Sequence, residues 1–266
     1  MPVTQILPRK VQTLIKRIEV SGDKESLPEH AGLHYRKVLR ALFETGRYGT
    51  YLEIGTSTGG TLVLATGRVI AVDPDFRLTR NVLPGMTELH AFQTTSDDFF
   101  ATQDPIALMQ GATMDLAFLD GMHLFEFLLR DFINTEKVSA PGTLILMHDC
   151  LPLNGVMAQR DLVDVDARTD RYFGWWAGDV WKMLPILAEH RPDLKLACIN
   201  APPTGLVAIS GLDPQSTVLS DRYEEIVARY AEEELDTPGA RSLHERFRPR
   251  PAAQALADLG HPISAG

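Results

Sequence analysis

The stretch Tyr51-Leu-Glu-Ile-Gly-Thr-Ser-Thr-Gly-Gly60, followed by Val69-Ile-Ala-Val-Asp73, decides the fold. Residues 52–54 form a short, mostly apolar run that ends in glycine, which is the pattern of a buried strand. Three glycines then crowd one turn, as expected where the backbone needs a positive φ or lies close to a ligand. A second apolar run follows and ends in an acid. We therefore predict strand, glycine turn, short helix and strand, the layout of a nucleotide-cofactor half-site.

Two acids flank this glycine turn. Asp73 ends the second strand, where a carboxylate can accept hydrogen bonds from ribose hydroxyls. The turn has the spacing G-x-x-x-G-G instead of the G-x-G-x-x-G of dinucleotide sites, and Glu53 stands two residues before its first glycine. A carboxylate there would repel a pyrophosphate and attract an ammonium or sulfonium group. The pattern favours S-adenosylmethionine (SAM) over NAD, and a plain βα turn with solvated acids is the alternative without a cofactor.

The motif Glu53-x-Gly55-x-x-x-Gly59, followed by Asp73, resembles the first two motifs of class I SAM-dependent methyltransferases. The resemblance extends over roughly residues 30 to 212. It implies a doubly wound, Rossmann-like α/β fold with a seven-stranded, mostly parallel sheet and an antiparallel last strand. It also implies that SAM lies across the carboxyl ends of the first strands. The cofactor-binding candidates are then Glu53, Gly55, Thr56, Ser57, Gly59, Asp73, Ser96, Asp97 and Asp120.

Further apolar runs continue this pattern along the chain. Runs at 89–92, 114–119 and 143–147 alternate with helical patterns, which predicts a doubly wound parallel sheet. Two later runs, 194–199 and 205–210, are joined by so few residues that they should pair antiparallel. Ligands of such sheets bind beyond the carboxyl ends of the strands. In the resembling family the residues after the third strand contact adenine, so Ser96 and Asp97 are candidates there, with a helix N-cap as the alternative role.

Acids and histidines follow the fourth and fifth strands. Oxygen ligands there suit Mg²⁺, and a histidine among them also permits Mn²⁺, Fe²⁺ or Zn²⁺. Leu-Asp120-Gly-x-His123, with the later pair His148-Asp149, resembles the metal-dependent small-molecule and sugar O-methyltransferases and, more distantly, the catechol O-methyltransferases. This resemblance implies Asp120, His148 and Asp149 as metal ligands. The families have Asp-Asp or Asp-Asn where this chain has His-Asp, so a metal-independent site stays open.

The predicted reaction moves the SAM methyl group to a hydroxyl of a small molecule or sugar-containing metabolite. Its catalytic candidates are Asp120, His123 and His148. His123 occupies the place of the catalytic lysine of the catechol enzymes, and a histidine can accept a proton near neutral pH. His148 is the rival base, and a first-turn helix residue without chemistry is the plain alternative for His123. N- or C-methylation, an NAD-type oxidoreductase and a silent SAM-binding partner are the competing functions.

Composition narrows the class of partner. A net charge of −9 over 266 residues argues against a nucleic-acid surface. The sequence has no apolar run of about 18 residues, so we predict no membrane span. The first residues lack the apolar core of a signal peptide. Two cysteines are too few for a disulfide framework. We expect a cytoplasmic enzyme that acts on a small molecule and binds neither nucleic acid nor membrane.

Three segments are predicted from the distribution of these motifs. Residues 1–28 form an amphipathic arm or helix, residues 29–235 the methyltransferase domain, and residues 236–266 a C-terminal tail. Because an amphipathic arm can pack on a second subunit, we expect a homodimer. The tail is rich in proline and alanine, and we expect it to be loosely ordered.

The connection at 150–178 is a predicted lid. It lacks clear periodicity, and long connections of this kind in compact domains are usually functional. Its end carries Trp175 and Trp176, which we predict to contact the substrate. Simple aromatic packing is the alternative.

Overall fold

The computed structural model describes residues 29–161 and 175–264. The predicted arm at 1–28 and lid residues 162–174 lie outside the described residues. The strands are β1 (Thr50–Ile54), β2 (Gly67–Val72), β3 (Met86–Phe92), β4 (Met114–Leu119), β5 (Ser139–His148), β6 (Lys195–Ile199) and β7 (Leu206–Ser210). The helices are α1 (Tyr35–Glu44), α2 (Ser96–Thr102), α3 (Pro105–Leu108), α4 (Phe125–Lys137), α5 (Met183–His190), α6 (Val218–Asp221), α7 (Tyr223–Tyr230), α8 (Thr237–Phe247) and α9 (Ala252–Asp258), with 3₁₀ turns at Leu62–Leu64, Leu83–Gly85 and Val180–Lys182. No helix within the two described ranges is long and apolar enough to cross a membrane.

The seven strands form one sheet in the order β3-β2-β1-β4-β5-β7-β6. Strands β1 to β5 pair in parallel, whereas β7 runs antiparallel to both β5 and β6. This confirms the predicted α/β fold with its antiparallel last strand. Because β1 and β4 are central neighbours, the residues that follow them meet in the middle of one sheet edge.

Strand β1 is buried on both faces because helices cover each side of the sheet. Leu52 and Ile54 point into the core shared with α4. Tyr51 points the other way, where its ring meets Phe43 of α1 edge to face at 5.1 Å between centroids. The apolar stripe of α1 thus fixes one face of β1, and α4 fixes the other.

The C-terminal segment is ordered, so the expectation of a loose tail was wrong. Helix α8 begins at a cap, where the Asp236 carboxylate accepts from the Gly239 N–H at 2.7 Å. The chain then bonds the end of edge strand β6, with Arg250 N donating to the Cys198 carbonyl at 2.9 Å. Helix α9 packs two fully buried side chains, Ala255 and Leu256, against the core. Alanines look weakly apolar in the sequence, but their small size lets α9 lie close to the sheet.

Candidate active site

A cavity of about 650 Å³ opens at the carboxyl ends of the parallel strands. This volume falls in the range of small-ligand and cofactor sites. Most of the predicted site residues form its wall: Gly55, Ser57, Asp73, Ser96, Asp97, Asp120, His123, His148, Asp149, Trp175 and Trp176. Three predicted cofactor residues, Glu53, Thr56 and Gly59, are not part of the described wall. The fold therefore brings the residues after β1 to β5 to one place, as the sequence predicts.

Gly55 lets the ends of β1 and β4 approach each other. Its φ is +88°, and its N–H donates to the Val72 carbonyl at 2.9 Å. A Cβ atom at this position would lie 1.9 Å from the Asp120 carbonyl oxygen. Glycine is thus required here both by the backbone conformation and by the close contact.

Glu53 lies beneath the glycine turn and is fully buried. Tyr51 lies on the same face of β1, and its hydroxyl donates to Glu53 Oε2 at 2.6 Å. Burial raises the pKa of Glu53 to about 7, although this hydrogen bond opposes the shift. The geometry gives Glu53 a supporting position below the turn, whereas the sequence prediction was direct contact with the cofactor.

Asp73 is held rigidly at the end of β2. Its carboxylate accepts the backbone N–H of Ser57 at 2.6 Å and that of Asp75 at 2.7 Å. A carboxylate offers about four lone-pair sites, so two remain for a ligand. The backbone has therefore fixed a carboxylate acceptor at the cavity wall.

Ser96 and Asp97, which follow β3, also line the cavity. The cap of α2 is their neighbour Thr95, whose side chain accepts from Asp98 N at 3.1 Å. Asp97 forms a bidentate pair with Arg130 of α4, at 2.8 and 2.7 Å. The alternative role of N-cap thus belongs to Thr95, and Ser96 and Asp97 stay candidates for the cofactor.

An acid–histidine cluster lies at the ends of β4 and β5. Nε2 of His123 is 3.2 Å from Asp149 Oδ2 and 3.8 Å from Asp120 Oδ1. One ligand atom from each of these residues lies within 4.8 Å of the other two, an arrangement that could hold a metal ion. The predicted set had His148 in place of His123.

His123 is oriented by the end of the connection at 150–178. Its Nδ1 lies 2.8 Å from the Trp176 carbonyl oxygen, and its ring stacks on the Trp176 indole at 5.0 Å. A carbonyl only accepts, so Nδ1 carries the hydrogen. In the neutral ring, Nε2 then points its lone pair at the Asp149 carboxylate, which is repulsive unless a proton or a cation lies between them. A backbone carbonyl that fixes the tautomer in this way is typical of metal-binding histidines.

His148 is the buried counter-charge of the two acids. Its Nδ1 lies 3.1 Å from Asp120 Oδ1 and 3.3 Å from Asp149 Oδ1, and its ring packs on Tyr35 at 4.1 Å. Burial lowers the pKa of His148, but the two carboxylates raise it by more than burial lowers it, so the net shift is upward. The pKa of Asp149 is correspondingly held below its ordinary value by His148, against the effect of burial. His148 Nδ1 therefore lies within hydrogen-bond distance of both acids, and the predicted roles of His148 as metal ligand or base stay predictions.

Asp149 has a left-handed backbone, with φ at +62°. Such conformations in residues other than glycine persist where the surroundings hold them, often at functional sites. The Thr204 hydroxyl donates to Asp149 Oδ1 from the connection between β6 and β7. Sequence reasoning treated that connection only as a link between strands, so Thr204 was missed.

Asp179 supports the site from behind. Its carboxylate accepts the Phe125 N–H at the start of α4, at 2.9 Å. It is buried and pairs with Lys182 at 3.0 Å and Arg160 at 2.9 Å. Its backbone N–H donates to the His123 carbonyl at 3.2 Å. These contacts fix the segment around Asp179 against the start of α4 and so fix His123.

Cys150 follows Asp149 but is not built as a nucleophile. Both cysteines are buried, and burial raises the pKa of the Cys150 thiol well above its ordinary value and that of Cys198 to about 12. We expect iodoacetamide to leave the native protein active and unlabelled, and to label both thiols after unfolding, as measured by mass spectrometry. Rapid labelling of Cys150 with loss of activity would contradict this.

The comparisons with known proteins agree with this geometry. Residues 52–150 match the family model described as a methyltransferase domain. No curated protein matches the sequence. This matched range runs from the glycine turn past the pair His148-Asp149.

Solved structures resemble the chain only weakly. Cofactor-bound Rv0187 from MTB has a TM-score of 0.46 at 16% identity, over 74% of this chain and 88% of that one. The O-methyltransferase TomG from Streptomyces achromogenes, in complex with SAM, has a TM-score of 0.47 at 17% identity, over 67% and 80%. The O-methyltransferase from Bacillus cereus in complex with SAH has a TM-score of 0.47 at 17% identity, over 79% of this chain and 95% of that one. At these values the likeness carries no functional inference, and the family match shows that residues 52–150 are similar to a methyltransferase domain.

Proposed function

We propose that the protein is a SAM-dependent O-methyltransferase that acts on a hydroxyl of a small molecule with the help of a divalent cation. The observation that carries this proposal is the placement of Asp120, His123 and Asp149 on the same cavity as the glycine turn and Asp73. A methyl donor and an activated hydroxyl must meet within a few ångströms. In this proposal the same cavity holds both the methyl donor and the hydroxyl that accepts the methyl group.

The charge of the cavity suits SAM. Its described wall carries five aspartates and neither lysine nor arginine. Opposite charges attract strongly in a partly buried site, so this wall favours a sulfonium cofactor and disfavours the pyrophosphate of NAD. In our proposal the ribose lies on Asp73, the methionine part at the glycine turn and the base towards Ser96.

The residues present fit a divalent cation. Asp120, His123 and Asp149 would hold it, because their ligand atoms converge and the Trp176 carbonyl turns Nε2 of His123 towards the two acids. When bound, such an ion lowers the pKa of a coordinated hydroxyl. The cation is left open as Mg²⁺ or a softer ion, since a histidine stands among the ligands.

When Nε2 of His123 holds no cation, the chain's own groups can move the proton instead. The His123 side chain is 26% exposed, against 6% for His148, so a substrate reaches His123 first. Nε2 of His123 accepts the hydroxyl proton, and the carboxylate of Asp149 stabilises the resulting imidazolium. The hydroxyl oxygen attacks the methyl carbon in line, the carbon–sulfur bond breaks, and SAH leaves.

The acceptor binds at the tryptophan end of the cavity in this proposal. Trp176 is fixed by its indole N–H, which donates to the Gln159 carbonyl at 2.7 Å, and by its stacking on His123. Trp175 is 39% exposed at the cavity wall. Aromatic faces of this kind suit a planar ring or a sugar face. We propose that one of the two indoles contacts the acceptor.

Calorimetry tests the cation and its ligand set. Wild type saturated with SAH is titrated with Mg²⁺ and then with Mn²⁺, alongside His123→Ala and the control His90→Ala, whose ring pairs with Glu88 on β3. We expect His123→Ala to weaken cation binding at least about tenfold, with SAH affinity unchanged within about threefold. If wild type binds SAH but no cation, His123 acts as the base alone. If wild type does not bind SAH, the proposed function is wrong.

A further inference from the structure

Thr204 reaches the candidate active site from the connection between β6 and β7. It is 1% exposed and forms part of the cavity wall. Strand β7 runs antiparallel to β5 with Leu206 opposite His148, so the residues just before β7 lie beside those just after β5. The backbone fixes this approach, because the Leu151 N–H donates to the Thr204 carbonyl at 3.0 Å. The fold therefore holds the Thr204 side chain beside Asp149.

The two oxygens of the Asp149 carboxylate have different surroundings. Oδ1 accepts the Thr204 hydroxyl, whereas Oδ2 lies 3.2 Å from Nε2 of His123. His148 also approaches Oδ1, but its Nδ1 carries at most one hydrogen. That nitrogen lies 3.3 Å from Asp149 Oδ1 and 3.1 Å from Asp120 Oδ1, so the two acids share it. Of these two donors at Oδ1, only the Thr204 hydroxyl is not shared with Asp120.

The bond to Thr204 sets the orientation of the Asp149 carboxylate. Without it, the carboxylate could turn about its last side-chain torsion, which has no sharp preference in aspartate. Both oxygens could then face the cavity, and neither would be aimed at His123. With the bond in place, Oδ1 is occupied and Oδ2 is directed towards Nε2 of His123. A threonine suits this task, because its branched side chain is stiff about χ1 and holds the hydroxyl in place.

We infer that Thr204 is a positioning residue that presents a single oxygen of Asp149, Oδ2, to a divalent cation. This inference rests on the proposed function, since it needs the cation that Asp120, His123 and Asp149 would hold. One oxygen from a carboxylate suits an octahedral ion such as Mg²⁺ or Mn²⁺. Ca²⁺ takes about six to eight oxygens and often both from one carboxylate. The site should therefore favour Mn²⁺ over Ca²⁺, and the Thr204 hydroxyl should contribute to that preference.

Calorimetric titration of the SAH-saturated protein with Mn²⁺, and separately with Ca²⁺, tests this inference. We expect wild type to bind Mn²⁺ at least about tenfold more tightly than Ca²⁺. Thr204→Val keeps the shape of the side chain and removes the hydroxyl. It should weaken Mn²⁺ binding by about 10- to 100-fold, the range for a group that orients a metal ligand. The preference for Mn²⁺ over Ca²⁺ should fall as well, because the freed Oδ1 offers Ca²⁺ a second oxygen.

Two further variants serve as controls. Thr204→Ser keeps the hydroxyl and should restore Mn²⁺ affinity to within about threefold of wild type. Thr217→Val removes a matched bond at the surface, where an exposed threonine hydroxyl donates to Asp221 at 2.7 Å. It should bind both cations like wild type. All variants should keep their SAH affinity, and thermal unfolding shows whether they are folded.

Each outcome has one meaning. If wild type binds Ca²⁺ as tightly as Mn²⁺, the inference is overturned without any variant, so it stays testable even where Thr204→Val unfolds. If folded Thr204→Val keeps the wild-type Mn²⁺ affinity, weakens both cations equally, or matches Thr204→Ser, the hydroxyl is structural and the inference is wrong. If wild type binds SAH but neither cation, the inference fails together with the proposed cation, and the proposed cofactor stands. If wild type does not bind SAH, the proposed function fails and takes the inference with it.

Discussion

Asp149→Asn is expected to lower kcat for methyl transfer by about 10²- to 10⁴-fold, the range for loss of acid–base assistance, and to change SAH affinity less than about threefold. Asparagine has the same shape, tolerates the left-handed backbone at φ +62° and can still accept from Thr204. What it removes is the negative charge that faces Nε2 of His123 at 3.2 Å. That charge serves either as a cation ligand or as the group that stabilises the His123 imidazolium. Methyl transfer therefore slows whether the cation or His123 activates the hydroxyl.

Transfer of a labelled methyl group from SAM measures this effect once an acceptor is found in a panel of hydroxylated small molecules. Asp258→Asn is the matched control, because that acid is 54% exposed and pairs with Arg250 at the surface. The control should keep wild-type kinetics. Thermal unfolding of both variants shows whether they are folded. A folded Asp149→Asn enzyme with wild-type kcat would remove Asp149 from the mechanism.

Gly55→Ala is expected to abolish SAH binding and to destabilise the protein by about 2–5 kcal/mol. Two effects add. A side chain at φ +88° is strained, which costs about 1–2 kcal/mol. The new methyl group would also lie 1.9 Å from the Asp120 carbonyl oxygen, and overpacking of this kind costs typically about 1–3 kcal/mol. The ends of β1 and β4 must separate, and the cavity changes shape where the methionine part of SAM is proposed to lie.

Gly111→Ala separates these two effects. Its φ is +87°, almost the same as that of Gly55, but nothing lies within 4 Å of the Cβ position. We expect Gly111→Ala to lose only the stability that the backbone strain costs, about 1–2 kcal/mol, and to bind SAH like wild type. Urea unfolding gives the two stabilities, and calorimetry gives the two affinities. Equal loss of stability in both variants would mean that the close contact at Gly55 does not matter.

The fold could be predicted because its strongest signals are local. Apolar runs, glycine turns and short connections mark the strands of a parallel sheet, and β1 to β5 followed that pattern. The site could be predicted in outline because the sheet places every strand-end residue, such as Asp73 and Asp120, on one edge. The order of the strands in space was not readable from spacing, because it depends on which strands pair across long connections.

What the sequence did not indicate depends on contacts between distant segments. The side chain of Glu53 points below the turn because it shares a face of β1 with Tyr51, and a strand buried on both faces gives no alternation to reveal this. His123 joins the two acids as a candidate cation ligand because the Trp176 carbonyl turns its ring. Thr204 meets Asp149 because β7 runs antiparallel beside β5. None of these contacts is encoded in local spacing.

Calorimetric titration of SAH into the wild-type protein, with NAD as the parallel ligand, tests the central claim most directly. The proposal predicts one SAH molecule per chain with micromolar affinity, no heat from NAD, and loss of SAH binding in Gly55→Ala. Binding of NAD without SAH would contradict the assignment of the cavity to SAM. Binding of neither ligand would contradict the proposed function as a whole.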